Sequence, residues 1–175
     1  MTQKEASTLL LFGAKGNLAR VKLFPGLFKL DLAGKLHPDM KILSIGRQEE
    51  SHAEWIINLK SIIRAKYDKD LNQTVLDRFL KRNVYHANLP DDPDAFIKLS
   101  DRLGQEGFSQ NLAFFLSVRP SDFALIVDQL AEAKLLDELS HWKRVLIEKP
   151  FGVNTETAQV LQDSISKHLK ESQIY

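Results

Sequence analysis

The stretch TLLLFGAKGNLARVKLFP, residues Thr8 to Pro25, joins three local patterns in a fixed order. Thr8 to Phe12 is a continuous apolar run ending at Gly13, which predicts a buried parallel strand. Apolar residues then recur at helical spacing from Leu18 to Leu32, with an interruption predicted at Pro25. A strand, a glycine-containing loop and a helix in this order make up a phosphate-binding turn.

The loop between strand and helix carries the residue types that such a turn needs. Gly13 permits a sharp turn, and Gly16 lets the backbone approach a pyrophosphate closely. Ala19 is small enough for tight packing of helix on strand, and the helix N-terminus offers free N–H groups to an anion. The spacing G-x-x-G-x-x-A differs from the G-x-G-x-x-G of dinucleotide-binding domains, so an ordinary two-glycine turn remains an alternative. The predicted cofactor-binding residues of this loop are Gly13, Ala14, Lys15, Gly16, Asn17 and Leu18.

Basic side chains flank the loop. Lys15 lies within it, and Arg20 and Lys22 fall on the first turns of the predicted helix. A basic residue on a helix is commonly part of a solvated face. Because these three residues lie close to the predicted phosphate site, a binding role is an equal alternative.

The second predicted strand, Lys41 to Ile45, is followed by Gly46 and Arg47. In dinucleotide-binding domains an acidic residue at this point binds the ribose 2′-hydroxyl, whereas an arginine accommodates a 2′-phosphate. Glu49 and Glu50 come after the strand end, so Arg47 favours NADP over NAD. The alternative is an exposed loop arginine without a ligand.

Helical and extended patterns alternate along the rest of the chain. The Ser51–Glu54 capping box begins a helix that reaches Tyr67, and Ser121 is predicted to cap a later helix. In the predicted helix after the glycine loop, Leu23, Leu27, Phe28 and Leu30 are expected to share one face. Further strands are predicted at Val84 to Ala87, Asn111 to Val118 and Lys143 to Ile147, and further helices at Asn72 to Lys81, from about Asp94 to Leu103, and at Thr155 to Lys170.

This alternation predicts one α/β domain over residues 1–175, with a doubly wound, mostly parallel sheet flanked by helices on both faces. The last three residues, Gln173 to Tyr175, are expected to open one more strand.

Composition excludes several classes of protein. The 175 residues are 43% hydrophobic and 27% charged, which suits a globular domain rather than a disordered chain. The net charge of +1 does not indicate nucleic acid or an anionic membrane as partner. There is no cysteine, and the start of the chain does not resemble a secretory signal, so we expect a cytoplasmic protein. The five histidines lack metal-ligand spacing, so no metal is expected.

A charged pair, Glu148 and Lys149, follows the predicted strand at Lys143 to Ile147. Ligands of open α/β sheets bind outside the carboxyl ends of the strands. Pro150 restrains Lys149 to extended geometry. Lys149 is therefore a candidate donor to a substrate hydroxyl or phosphate.

Taken together, GAKGNLARVKLFP from Gly13, IGR from Ile45, EKPFG from Glu148 and the final QIY resemble the coenzyme domain of the glucose-6-phosphate dehydrogenase family. The order and spacing of these motifs match along essentially the whole chain. The resemblance implies a Rossmann-type, NADP-binding domain of an oxidoreductase that converts glucose 6-phosphate to its lactone in the pentose phosphate pathway.

The resemblance also implies roles for individual residues. Gly13, Gly16 and Leu18 would cradle the pyrophosphate, and Arg47 would meet the 2′-phosphate and adenine. Lys22 and Lys149 would face the reacting centre and hold glucose 6-phosphate, with Lys149 positioning the substrate. Cofactor contacts are also expected from Lys22, Pro120 and Lys149.

Some positions differ from the family pattern. Asn17 replaces an aspartate, Val21 a basic residue, and Arg119 the first of two prolines. The family's catalytic histidine and dimer interface lie in a second domain that is expected to be absent from these 175 residues. We therefore expect the chain to be inactive alone. A stand-alone NADP-binding module and a binder of another nucleotide phosphate are the alternatives, and Lys149 argues against the second of these.

Overall fold

The computed structural model describes residues 5–67, 71–105, 107–147, 162–163 and 165–175. Within them, five parallel strands form one sheet in the order β3-β2-β1-β4-β5. Each strand lies within or close to a predicted apolar run. The strands are β1 (Thr8–Phe12), β2 (Lys41–Gly46), β3 (Asn83–Ala87), β4 (Leu112–Leu116) and β5 (Lys143–Ile147).

The described part of the chain has five named α-helices beside the strands: α1 (Phe24–Leu32), α2 (His52–Tyr67), α3 (Gln73–Lys81), α4 (Ala95–Leu103) and α5 (Phe123–Glu132). The predicted capping box precedes α2: the Glu54 N–H donates to Ser51 Oγ, and the Glu54 carboxylate accepts from the Ser51 N–H. Asn72 Oδ1 caps α3 by accepting from the Val75 N–H. Local side-chain chemistry therefore sets the starts of both helices.

Helices cover both faces of the sheet. Every side chain of β1 is therefore buried, which explains why β1 is a continuous apolar run rather than an alternating one. Leu9 and Leu11 belong to the core beneath α1, α2 and α3, together with Trp55 and Phe79. Leu10 and Phe12 point to the opposite face and join the residues of α4 and α5 in a second core. The predicted doubly wound α/β architecture is confirmed.

The order of the strands reverses between β1 and β4. From β1 the chain adds β2 and β3 on one side, then crosses to add β4 and β5 on the other. Helices on opposite faces diverge at such a point, so a crevice opens at the carboxyl ends of β1 and β4. The glycine loop follows β1 at this position.

The helix after the loop is interrupted as predicted, but not in the expected form. Ala19–Leu23 is a π-helical turn, and Pro25 then occupies the first turn of α1, where its missing N–H costs little. The expectation that Leu30 shares the face of Phe28 is wrong. Residues two apart on a helix differ by about 200°, so burial of Phe28 turns Leu30 outward, and Asp31 is buried instead.

Ser121 does not cap α5, contrary to the prediction. It lies in a 3₁₀ turn, Pro120–Asp122, and its hydroxyl donates to the Asp122 carboxylate. Pro120 favours this tight turn because its ring fixes φ near the helical value. Helix α5 therefore begins two residues later, at Phe123.

The chain returns to the sheet at its end. Ile174 pairs in parallel with Val145, the Tyr175 N–H donates to the Val145 carbonyl over 2.9 Å, and the Ile147 N–H donates to the Tyr175 carbonyl over 2.9 Å. The predicted extra strand is thus present as a short bridge beside β5. Most of the helix predicted at Thr155 to Lys170 lies outside the described residues, although Ile165 and Leu169 are buried in the second core.

Candidate functional site

Backbone hydrogen bonds hold the glycine loop between the ends of three strands. The Ala14 N–H donates to the Ile45 carbonyl of β2 over 3.0 Å, and the Ser117 N–H, just after β4, donates to the Phe12 carbonyl of β1 over 3.1 Å. Within the loop, the Gly16 N–H donates to the Gly13 carbonyl over 2.8 Å. The loop is thus a tight turn fixed at the crevice.

Gly13 allows the loop to close against β4. Its φ is +76°, and a Cβ atom there would lie 2.1 Å from the Ser117 carbonyl oxygen. An L-residue would meet both a backbone clash and an unfavourable φ. The sequence indicated a sharp turn at Gly13, and the structure adds that the turn is pressed onto the end of the neighbouring strand.

The loop leads directly into a helix. The Arg20 N–H donates to the Gly16 carbonyl, so the first helical turn begins at Gly16. The first N–H groups of a helix have no acceptor within it, and those of Asn17 and Leu18 are in this position. Ala14 and Ala19 are both fully buried, and the small side chain of Ala19 fits the close packing predicted for it.

Lys15 extends from the loop towards the segment after β2. Its ammonium lies 3.1 Å from a Glu50 carboxylate oxygen and 5.6 Å from the centre of the Tyr85 ring. The Glu50 carboxylate also accepts a hydrogen bond from Asn58. A cleft of about 280 Å³ opens beside this ion pair, with Glu49 among its walls. The carboxylate of Glu50 is therefore already engaged by two neighbours.

Arg47 is the first residue after β2 and is exposed to solvent. In the part of the chain that the structure describes, no hydrogen bond or ion pair engages its guanidinium group. A hydrogen bond to β3 anchors the loop that carries Arg47: the Tyr85 hydroxyl donates to the Gln48 carbonyl over 2.7 Å. Among the described residues, the guanidinium of Arg47 is therefore unpaired, while the loop that carries it is anchored.

Sequence reasoning did not single out Tyr85. A Cβ atom at Gly46 would lie 2.2 Å from the Tyr85 hydroxyl oxygen, so the glycine makes room for this side chain. Burial raises the pKa of Tyr85, and the nearby Glu50 carboxylate adds to this effect. Gly46 was the one sequence feature that could have indicated this contact, because a glycine at the end of a strand often marks a close approach of another group to the backbone.

Two further predicted residues, Lys22 and Pro120, lie in the segments that follow β1 and β4. Lys22 is exposed on the π-helical turn, a feature often found at functional sites, and Val21 beside it is 55% exposed. Pro120 is exposed in the 3₁₀ turn after β4, and Arg119 forms an ion pair with Asp122 over 3.3 Å. Lys149 lies outside the described residues.

Three buried polar atoms near the carboxyl ends of β3 and β4 have no hydrogen-bond partner among the described residues. They are Ser117 Oγ, His86 Nε2 and Asn88 Oδ1. Burial lowers the pKa of His86, and the positive charge of Arg102 contributes in the same direction. Buried polar atoms usually have a partner, so these three leave hydrogen-bonding capacity unused at the carboxyl edge of the sheet.

The described residues contain neither a membrane-spanning helix nor a metal-binding cluster. No helix in them has the length and apolarity needed to cross a bilayer. No group of three or more His, Cys, Asp or Glu residues in them is arranged to hold a metal ion.

The amino-acid sequence matches a known domain family. Residues 10–175 match the family model described as glucose-6-phosphate dehydrogenase, NAD binding domain. The chain belongs to this family. As in the sequence-based prediction, the site is thus that of a nicotinamide-cofactor domain.

Relatives of this family extend well beyond the 175 residues. Glucose-6-phosphate 1-dehydrogenase 3 of Arabidopsis thaliana, a chloroplastic protein, is 31% identical over 99% of this chain but only 29% of its own length. The glucose-6-phosphate 1-dehydrogenase of Buchnera aphidicola subsp. Schizaphis graminum is 32% identical over 98% of this chain and 34% of its own. The chain therefore spans about a third of the curated relatives it matches.

Solved glucose-6-phosphate dehydrogenase structures have the same fold. The enzyme from Mycobacterium avium superposes with a TM-score of 0.84 at 28% identity, covering 98% of this chain and 35% of that one. A glucose-6-phosphate dehydrogenase in complex with glucose 6-phosphate gives a TM-score of 0.84 at 26% identity, covering 100% of this chain and 37% of that one. Both likenesses agree with the predicted Rossmann-type α/β fold.

Proposed function

We propose that this chain is the NADP-binding part of a glucose-6-phosphate dehydrogenase. The observation that carries the proposal is the closed glycine loop, pressed by Gly13 onto Ser117 at the point where the strand order reverses. The N-terminus of the following helix favours the negative charge of a pyrophosphate. The first helical N–H groups, at Asn17 and Leu18, would hold it together with the backbone of Gly16.

NADP rather than NAD is supported by the surroundings of β2. Arg47 supplies an unengaged guanidinium at the strand end, where a 2′-phosphate is bound in such domains. Glu50, the partly buried carboxylate nearby, is paired with Lys15, which reduces its repulsion of a phosphate. The residues present fit NADP: the glycine loop offers backbone donors to its pyrophosphate, and Arg47 offers a cation to its 2′-phosphate.

Glucose 6-phosphate is the proposed substrate of the protein that this domain serves. Family membership supports the assignment, and the exposed Lys22 offers a cation on the turn that follows the cofactor loop. Lys149, by its match to the family motif, would bind the same substrate and position it for reaction. When bound, NADP would supply the hydride acceptor for that reaction.

We further propose that the 175-residue chain binds NADP without turning over glucose 6-phosphate. In the family, the base that removes the substrate proton is a histidine of the second domain. General-base catalysis typically contributes about 10²- to 10⁴-fold, and much of the substrate pocket would also be lost. A stand-alone binding module would behave in the same way in this respect. The pentose phosphate pathway and a cytoplasmic location remain proposals of the same kind.

The experiment pairs two measurements on one preparation of the chain. Calorimetric titration with NADP should give saturable binding, and a coupled assay with NADP and glucose 6-phosphate should give no NADPH. Robust turnover would contradict the assignment of the missing base to a second domain. Absence of NADP binding by a folded chain would overturn the proposed function itself.

A further inference from the structure

A second cleft lies at the edge of the sheet opposite the glycine loop. It has a volume of about 470 Å³ and lies between the start of β2 and the side of α3 that runs from Thr74 to Lys81. Four cationic side chains line it: Lys41, Arg78, Lys81 and Arg82. Since β2 is six residues long, roughly 15–20 Å separate this edge from the cofactor site.

A buried carboxylate fixes two of these cations. Asp31 is 2% exposed, and it lies 3.2 Å from Arg78 Nε and 3.0 Å from Arg82 Nη2. Arg78 also donates to the Asp31 carbonyl over 2.7 Å, and Arg82 donates to the Met40 carbonyl over 2.8 Å. The single negative charge of Asp31 is thus shared by two guanidinium groups. One positive charge therefore remains, and the fold fixes its position.

The cleft keeps a surplus of positive charge. Its walls include one carboxylate, Asp77, which accepts a hydrogen bond from Gln73 over 2.8 Å. Counting Asp31 as well, two negative charges oppose four positive ones, so a surplus of two charges remains. That surplus matches a dianion.

Arg82 has one unpaired donor beside this cleft, although its other nitrogens bond to the His37 and Met40 carbonyls and to Asp31. It lines the cleft, is only 4% exposed, and its Nε–H has no hydrogen-bond partner among the described residues. Buried N–H groups are nearly always paired with an acceptor. Guanidinium groups are also suited to planar recognition of phosphate oxygens.

Pro38 and Met40 supply apolar surface in the same cleft. A volume of this size accommodates a small organic molecule as well as its charged group. From these observations we propose that the cleft is a second ligand site, which binds an organic phosphomonoester. The phosphate faces Arg78, Lys81 and the floor at Arg82, and the organic part lies against Pro38 and Met40. The site is independent of the NADP site.

The test uses phenyl phosphate and inorganic phosphate as probes in a backbone amide NMR titration of the 175-residue chain. Phenyl phosphate should shift the amide signals of Met40, Lys81 and Arg82 saturably, and inorganic phosphate should bind there more weakly. The double variant Lys41→Ala/Lys81→Ala should weaken phenyl phosphate at least tenfold. Both substitutions spare the Asp31 cluster, and circular dichroism would verify that the variant is folded.

Two control variants test whether phenyl phosphate binds through general charge attraction or at the proposed cofactor site. Lys66→Ala removes an exposed lysine from the last turn of α2, and Arg47→Ala alters the cofactor edge. Neither should change phenyl phosphate affinity by more than twofold. Shifts confined to the glycine loop, or equal affinity in the double variant, would overturn the site. Equal binding of inorganic phosphate would overturn the assignment of an organic ester.

Discussion

Gly13 and Ser117 touch through backbone alone: a Cβ atom on Gly13 would lie 2.1 Å from the Ser117 carbonyl oxygen. This contact joins the end of β1 to the end of β4 at the point where the sheet changes direction. It sets the depth of the loop in the crevice. The proposed cofactor site therefore depends on a residue with no side chain.

Gly13→Ala should destabilise the chain by at least about 3 kcal/mol, because a clash adds to the roughly 1–2 kcal/mol that a left-handed φ costs an L-residue. Gly34→Ala is the matched control: its φ is +65°, and no atom lies within 4 Å of its added Cβ. Urea unfolding of both variants separates strain from clash. Similar losses in the two variants would show that the contact with Ser117 is unimportant.

Tyr85→Phe should weaken NADP binding as well as stability. Removing its hydroxyl leaves the Gln48 carbonyl without that donor, at a cost of about 0.5–1.5 kcal/mol, and loosens the loop that carries Arg47. Tyr67→Phe removes a comparable hydrogen bond, to the Pro25 carbonyl over 3.1 Å, away from that loop. Calorimetry and urea unfolding should show similar stability losses, but an affinity loss only for Tyr85→Phe. Equal affinity losses would contradict the bracing role.

The stability of the chain should fall as the pH drops from about 7 to 5, partly through His86. Burial lowers the pKa of His86, Arg102 lowers it further, and Glu49 opposes them. The unfolded chain therefore binds this proton first, below a pH of about 6.5, so acidification favours unfolding. His86→Gln should reduce the pH slope of the unfolding free energy. An unchanged slope in His86→Gln would refute this assignment.

Much of the fold was predictable because its strands are short apolar runs that end at turn residues. The runs at Thr8 to Phe12 and Lys143 to Ile147 match β1 and β5, and the capping box placed the start of α2. These signals are local. A strand buried on both faces and a self-contained cap need no information from distant residues.

Features that depend on distant residues were not predictable. Asp31 is buried because Arg82, 51 residues later, reaches it, and no local pattern connects the two. Tyr85 braces the Arg47 loop across a separation of 37 residues from Gln48. The prediction that Ser121 caps α5 was wrong for a different reason: the serine is part of the 3₁₀ turn that begins at Pro120, before α5 starts. Spacing alone does not show which side chains meet across a sheet.

We propose that recognition of NADP needs the glycine loop together with Arg47. Calorimetric Kd values for NADP and NAD, measured on the parent chain and on Arg47→Asp, test it directly. The parent should prefer NADP, and the variant should lose about 10- to 100-fold in NADP affinity, since a charge-assisted hydrogen bond contributes about 1.5–3 kcal/mol. NAD affinity should change less than threefold, and Arg64→Asp, on an exposed turn of α2, should alter neither. Equal losses for NADP and NAD in Arg47→Asp would contradict the central claim.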